Sequence, residues 1–427
     1  MKLADPLSLP CGAQLPNRIA KAAMTEGLAD KDGQPTPELE KLYGIWSDGG
    51  AGLHLSGNIQ IDRDHLERPG NVIIDRMPTP EMREALMRWT AAATRGGNHF
   101  WAQISHAGRQ TMKPVNPRPK APSAVKLVLP GGQFGVPVAL TETEILNLIS
   151  RFGQAAQICK EVGFTGVQIH AAHGYLISQF LSPRSNLRED RWGGSLENRA
   201  RFLMFTINTV RQLVGPAFPI SVKLNSADFQ RGGFAFEESI QVARWLQDAG
   251  VDLIEISGGT YEQPKLLGIE GLEAAEPQNI AETTLAREAY FVDFAKAMKD
   301  ELSIPLMVTG GFRSASAMEQ ALKTGAADVI GLGRPLCVLT DAPKRLLSGM
   351  AILPKTETQL ALLPDWLAGL RKIKLIRAID GFAVQYWYYS QIYALGRTGR
   401  TNLEMSVFSA LREVEKYQKN WLRERRS

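Results

Sequence analysis

Two kinds of apolar pattern alternate along the chain. Short, near-continuously apolar runs occur at Arg18–Ala23, Gly52–Ile59, Phe100–Ser105, Thr165–Ile169, Pro219–Leu224, Asp252–Ser257, Pro305–Thr309 and Asp328–Gly331, the fourth of them β-branched. Such runs predict strands buried on both faces. Between them lie longer segments with apolar residues at helical spacing: Pro37–Ser47, Pro80–Arg95, Glu142–Val162, Leu196–Leu213, Phe236–Asp248, Leu285–Glu301 and Ser314–Thr324. Proline opens the first two, where its missing N–H costs a helix nothing. Ser195 stands where a side-chain cap is needed, and Glu197 follows in the turn whose dipole favours a negative charge.

Eight strand–helix units predict an α/β fold with a parallel sheet, and eight is the number that closes a (β/α)8 barrel. A doubly wound sheet fits less well, because no GxGxxG follows an early strand. Two stretches break the alternation: a proline-rich excursion, Pro114–Pro137, and an insertion from Gly258 to about Glu282. Beyond about residue 350 the barrel is complete. Pro364–Ile376, Phe382–Leu395 and Ser406–Arg423 read as helices. The division expected is a barrel over 1–350 and a helical extension over 351–427. That extension could cap the barrel, pack on a second copy of the chain, or stand apart.

Composition narrows the function classes. With 44% hydrophobic and 22% charged residues over 427 positions, the chain is an ordinary globular protein. A net charge of +5 is mild. Its visible basic cluster, Arg423, Arg425 and Arg426, ends a helix, so no nucleic-acid partner is expected. No apolar run is long enough to span a bilayer, and no membrane partner is expected either. Three cysteines without a CxxC pair argue against a disulfide framework, a zinc site or an iron–sulfur cluster, and fit a reducing cytoplasm.

The chemistry concentrates where the fourth strand ends, in the run His170 to Arg199. His170, His173 and Tyr175 bring two imidazoles and a phenol together, groups suited to binding and protonating a polarised carbonyl compound. His-x-x-His also occurs in metal sites, but no third ligand follows at a sensible spacing. A second signal comes from the ends of strands 7 and 8, Thr309-Gly310-Gly311-Phe312 and Gly331-Leu332-Gly333-Arg334. In a barrel these loops are neighbours at the C-terminal face. Their glycines let backbone N–H groups approach a phosphate, and Arg334 adds a forked donor.

The central run, with two histidines, Gly174-Tyr175, Leu181-Ser182-Pro183 and Gly193-Gly194-Ser195-Leu196-Glu197-Asn198-Arg199, resembles the Old Yellow Enzyme family of FMN-dependent ene-reductases. Gln103 with His106-Ala107-Gly108-Arg109 on strand 3 resembles a second family motif. The resemblance covers roughly Leu7 to Leu347. It implies a barrel carrying FMN, reduced by NADPH or NADH, which reduces activated C=C bonds of a small-molecule substrate. It also implies that Ala23, Met24 and Thr25 contact the flavin, that Gly57 allows close approach to the ring, and that Gln103 reads its pyrimidine edge. Lys223 would then put a cation near N1 and O2, and Gly310, Gly311, Gly333 and Arg334 would hold the phosphate. Tyr175 becomes the proton donor, and His170 and His173 the grip on the activating oxygen. Two departures stand out. Many relatives carry Arg where Lys223 stands, and one branch has Tyr where Gly27 stands. Alternatives are another FMN barrel dehydrogenase or demethylase, or a flavin-binding scaffold without catalysis; a dienoyl-CoA reductase, with its cysteine-ligated iron–sulfur cluster and second flavin domain, fits neither the cysteines nor the length.

Overall fold

The computed structural model describes residues 1–129, 132–259, 291–363, 369 and 373–427. Eight parallel strands close into a barrel: β1 (Ile19–Lys21), β2 (Leu53–Gln60), β3 (His99–Ser105), β4 (Gly166–Ala171), β5 (Ile220–Asn225), β6 (Leu253–Ser257), β7 (Leu306–Thr309) and β8 (Val329–Leu332). Each strand pairs with the next in sequence. Ile330 beside Ile19 and Leu332 beside Lys21 shut the ring. The eight predicted strands are therefore the barrel wall, in the predicted order.

The helices are α1 (Pro37–Asp48), α2 (Pro80–Thr94), α3 (Glu142–Glu161), α4 (Leu176–Leu181), α5 (Leu196–Val214), α6 (Phe236–Asp248), α7 (Val292–Lys299) and α8 (Ala315–Lys323). Their starts follow local chemistry. Thr141 and Glu144 form a reciprocal capping box on α3, and the Ser195 hydroxyl accepts from Asn198 N on α5. The apolar faces of the helices bury against the outer barrel wall in one continuous core, in which Trp46, Trp89, Phe100, Phe152 and Phe202 are fully buried.

A different, smaller apolar cluster fills the barrel's lower interior. Ala20, Leu53, Leu55, Trp101, Leu253, Met307 and Val329 meet Leu7, Leu9 and Leu15 there. The last three belong to an N-terminal hairpin, Leu7–Ser8 paired with Gln14–Leu15, which plugs that end. The opposite end carries polar side chains, and the site is built there.

The proline-rich excursion is not structureless. Lys120–Ala121 pairs with Val138–Ala139, and Arg188 holds both flanks by donating to the carbonyls of Pro122 at 3.0 Å and Leu140 at 2.7 Å. After β8 two short helices, Pro335–Val338 and Ala342–Leu347, lead to a helical pair, α9 (Lys374–Thr398) and α10 (Val407–Arg426). The expected break before Phe382 is absent, because α9 runs straight through Gly381 for 25 residues. This pair lies on the barrel. Trp421 donates its indole N–H to the carbonyls of Ala29 and Asp30 at 3.0 Å, and Arg425 donates to Arg63 O at 2.6 Å. Of the three arrangements open to the tail, packing over the loops of β1 and β2 is the one found. Most of the predicted insertion after β6, the start of the helix predicted from Leu285, and most of Pro364–Ile376 lie outside the described residues. Among the described residues no helix is long and apolar enough to cross a membrane.

Candidate active site

The polar end of the barrel interior is wired across four strands. Gln103 on β3 donates its amide to Gln168 Oε1 on β4 at 2.7 Å. Gln168 donates in turn to Glu255 Oε2 on β6 at 2.9 Å and to Ser221 Oγ on β5 at 3.2 Å. Glu255 Oε1 receives the Lys223 ammonium at 2.7 Å, the two side chains being 0% and 3% exposed. A buried ammonium without a partner would be expensive, and Glu255 is what makes Lys223 tolerable in a fully buried strand. The same clue that marks Lys223, a long polar side chain inside a continuous apolar run, also marks Gln168 in GVQIHA and Glu255 in LIEIS. Sequence reasoning passed over both.

His170, His173 and Tyr175 sit just above this layer. Ring centroids are 5.1 Å apart for the two histidines, 4.7 Å for His170 and Tyr175, and 6.5 Å for His173 and Tyr175. His170 Nδ1 accepts the Ala172 N–H at 3.2 Å, which leaves the ring proton on Nε2. His173 has φ +60, a left-handed conformation rare outside glycine. It is held there by its own N–H donating to Asn225 Oδ1 at 3.1 Å and by Nε2 lying 2.6 Å from Ser257 Oγ. Burial first, then the closeness of the two rings for His170 and the Lys223 charge for both, hold the imidazoles well below their ordinary pKa. They are neutral hydrogen-bond donors at physiological pH. Tyr175 is the residue before α4 and is 5% exposed. Asn225 and Ser257, which fix His173, carry no sequence signal apart from their place at strand ends.

The rest of the candidate set lines the same rim. β2 contains a bulge. Leu55 pairs with Trp101 and Asn58 with Gln103, so Ser56 and Gly57 together oppose one residue. A Cβ at Gly57 would lie 2.2 Å from Glu26 Oε2 and 2.5 Å from Met24 O, so only glycine fits. Thr25 Oγ1 accepts from Asn58 Nδ2 at 3.3 Å. Ala23 precedes Met24, whose sulfur is 3.5 Å from Cys337 Sγ. Gly310 and Gly311, at φ +108 and +82, stand beside Gly333 because Thr309 pairs with Gly331. A Cβ at Gly333 would find only Met24 nearby, its sulfur at 3.7 Å. At Gly333 the backbone is bare enough for a phosphate to approach, and Ser314 caps the helix that follows the Gly310–Gly311 loop. Arg334, half-buried, opens the short helix after Gly333. These residues fit a flavin mononucleotide. The neighbouring Arg313 is committed elsewhere, to Glu357 at 2.5 Å.

The second family-like motif has a structural use. Asp62 faces His65 Nδ1 at 3.2 Å, His106 Nε2 at 3.8 Å and Arg151 Nη1 at 3.4 Å. The two rings stack at 4.4 Å. The three side chains have the composition of a metal site, but each ring already uses its other nitrogen to accept a backbone N–H, from Lys120 at 2.8 Å and Gly108 at 3.1 Å. The nitrogens facing Asp62 therefore carry protons, and the cluster is built around an anion. Burial would raise the Asp62 pKa. The imidazoles outweigh it and hold the carboxyl well below its usual range.

Beneath α1 lies a further buried cluster. Lys21 donates to Leu55 O at 2.7 Å and Tyr43 Oη at 3.3 Å, and the Tyr43 hydroxyl donates to Glu26, which also accepts Gly57 N at 2.9 Å. Burial pulls Lys21 down to about 8. This network anchors the bulge from outside the barrel.

The sequence matches a family described as the NADH:flavin oxidoreductase / NADH oxidase family over residues 2–352. The NADH-dependent flavin oxidoreductase iccE of Talaromyces variabilis is 33% identical over 94% of this chain and 99% of its own length. The NADH-dependent flavin oxidoreductase iliE of Neonectria sp. (strain DH2) is 36% identical over 79% of this chain, which spans only 46% of that relative. Among solved structures, an old yellow enzyme homologue from Zymomonas mobilis superposes with a TM-score of 0.69 at 27% identity, over 85% of this chain and 98% of its own.

Proposed function

The chain belongs to the NADH:flavin oxidoreductase / NADH oxidase family, and from that premise we propose that it reduces the activated C=C bond of an α,β-unsaturated carbonyl compound. FMN is its cofactor and NAD(P)H its reductant. The observation that carries the proposal is the cluster at the end of β4. It combines two buried imidazoles kept neutral with a tyrosine whose ring is 4.7 Å from one of them. Neutral imidazoles can donate N–H groups to a carbonyl oxygen without presenting a net charge. Donation draws electron density from the conjugated carbon, and it strengthens as the oxygen gains charge.

Bound FMN, once reduced, supplies the hydride that adds to the β-carbon. In this reading His170, through Nε2–H, and His173 hold the oxygen, and Tyr175 delivers the proton that the α-carbon needs. Ser257 and Asn225 set the orientation of His173, whose left-handed backbone would otherwise relax. Gln103 and Lys223 face the pyrimidine edge, the first with both a donor and an acceptor, the second with a charge that favours reduced, anionic flavin. Glu255 tempers that charge. Ala23, Met24, Thr25 and Gly57 line the ring, and Gly310, Gly311, Gly333 and Arg334 take the phosphate. The same reading assigns flavin binding to 1–350 and cover of the rim to 351–427.

The test is anaerobic. Purified protein with its FMN is mixed with NADH or NADPH, then with cyclohexenone. Bleaching of the flavin by the first and return of colour with the second is the expected result, with cyclohexanone recovered stoichiometrically. Bleaching without reoxidation by any enone in a panel refutes the substrate class. No bleaching by either nucleotide favours a flavin-binding scaffold.

A further inference from the structure

Arg68 lies in the loop after β2, is 4% exposed, and has no hydrogen-bond partner for Nε, Nη1 or Nη2 among the described residues. Its guanidinium is stacked on the Tyr389 ring of α9, 3.6 Å from the centroid. Stacking uses the π face of the guanidinium and leaves the in-plane N–H fork unspent. Tyr393, one helical turn on, is fully buried, and among the described residues its hydroxyl is also without a partner. Both groups converge on Gly27. A Cβ built there would lie 3.3 Å from Tyr393 Oη and 3.5 Å from Arg68 Nε. Burying so many unmet donors on a charged group is costly unless something fills them.

The place is joined to the candidate site. Gly27 is two residues beyond Thr25. Asn71 Oδ1 accepts the Arg68 backbone N–H at 3.0 Å, its Nδ2 donates to Asn58 O at 3.4 Å, and the Asn58 side chain donates to Thr25. We propose that Arg68 and Tyr393 form a subsite for a carboxylate, or a similarly delocalised oxyanion, borne by the substrate at the end remote from its reacting carbonyl. A planar two-oxygen acceptor matches the free fork edge, and the Tyr393 hydroxyl adds a donor. Tyr389 holds the plane of the fork. The four donor atoms are closed off from solvent, so entry of such a ligand requires Tyr389 or the Gly27 loop to give way. The inference rests on the ene-reductase reading for the substrate's other end.

The probes are 4-carboxybenzylideneacetone and its methyl ester, titrated into the oxidised holoenzyme and followed by the perturbation of flavin absorbance. Binding is thus read without turnover. In wild type the acid should bind about ten- to a hundredfold more tightly than the ester, the range for hydrogen bonds to charged groups. Arg68→Met should bring the ratio close to one, Arg68→Lys should leave an intermediate ratio, and Tyr393→Phe should lower it severalfold. Thermal unfolding of Arg68→Met supplies the second readout. Loss of an unfilled buried cation should leave the midpoint unchanged or raise it, whereas a purely structural arginine would lower it. A ratio near one in wild type, or one unchanged in Arg68→Met with FMN bound, overturns the subsite. Should Arg68→Met fail to retain FMN, an unchanged ratio in both Arg68→Lys and Tyr393→Phe overturns it equally. An Arg68-dependent ratio, with flavin that NADH or NADPH bleaches but no enone of the panel, these probes included, reoxidises, would retain the subsite and refute the ene-reductase reading.

Discussion

The Lys223–Glu255 pair can be tested by a double-mutant cycle. Its geometry is short, 2.7 Å, and its side chains are 3% and 0% exposed. Removing one partner of such a pair leaves a buried charge without its counterion and costs about 3–5 kcal/mol. Lys223→Met should therefore cost that much, because among the described residues Glu255 keeps only Gln168 as a donor. Glu255→Gln should cost less, about 1–3 kcal/mol, since an amide oxygen can still accept from Lys223. The double variant removes both charges and should come within about 2 kcal/mol of wild type. The resulting coupling energy is at least about 2 kcal/mol, well above the few tenths found between independent sites. Urea unfolding, followed by tryptophan fluorescence at several FMN concentrations so that the binding contribution can be subtracted, gives the four stabilities. The flavin potential gives an independent sign. Lys223→Met should lower it, and Glu255→Gln should raise it by freeing the ammonium. Coupling below about 0.5 kcal/mol would refute the buried-pair argument, and two single variants that move the potential the same way would refute the placement against the ring.

Tyr175→Phe keeps the ring and its packing, so flavin reduction by NAD(P)H should stay within a factor of about two. Reoxidation by cyclohexenone should slow about 10²–10⁴-fold, the range for a lost general acid; stopped-flow measurement of both half-reactions decides, and equal slowing of both would remove the proton-donor role. Oxidised enzyme should bind p-hydroxybenzaldehyde as its phenolate with a long-wavelength charge-transfer band, weakened in both His170→Ala and His173→Ala; full retention in both would take the histidines out of the pocket. Stability should fall as pH drops below about 6.5, because unfolded imidazoles then take up protons that folded ones refuse. His106, held to about 4, and His54, held to about 3, both mainly by burial, are two such groups. Each contributes a slope of up to about 1.4 kcal/mol per pH unit between its unfolded and folded pKa. A thermal midpoint flat from pH 7 to 5 would contradict this.

Much of the fold was legible in the chain because burial on both faces leaves a one-dimensional trace. Eight apolar runs separated by helical periodicity admit few parallel architectures, and all eight became barrel strands in order. The residues at strand ends were legible for a related reason. In a barrel, the position after a strand faces the mouth, so the sequence itself places His170, His173, Tyr175 and the glycines at 310, 311 and 333 there. Lys223 was legible as an anomaly inside an apolar strand.

What the sequence left open depends on contacts between residues far apart in the chain. Glu255 is 32 residues from Lys223, and nothing local says that its carboxylate is the counterion. Ser257 fixes His173 across 84 residues, and Tyr389 reaches Arg68 from a tail whose placement the sequence did not decide. Local pattern records which side chains must leave water, since that is a property of each position. Which polar group satisfies which is settled only when the barrel closes and α9 packs on its rim, because a hydrogen bond needs both partners within about 3 Å and only the closed fold supplies the second one.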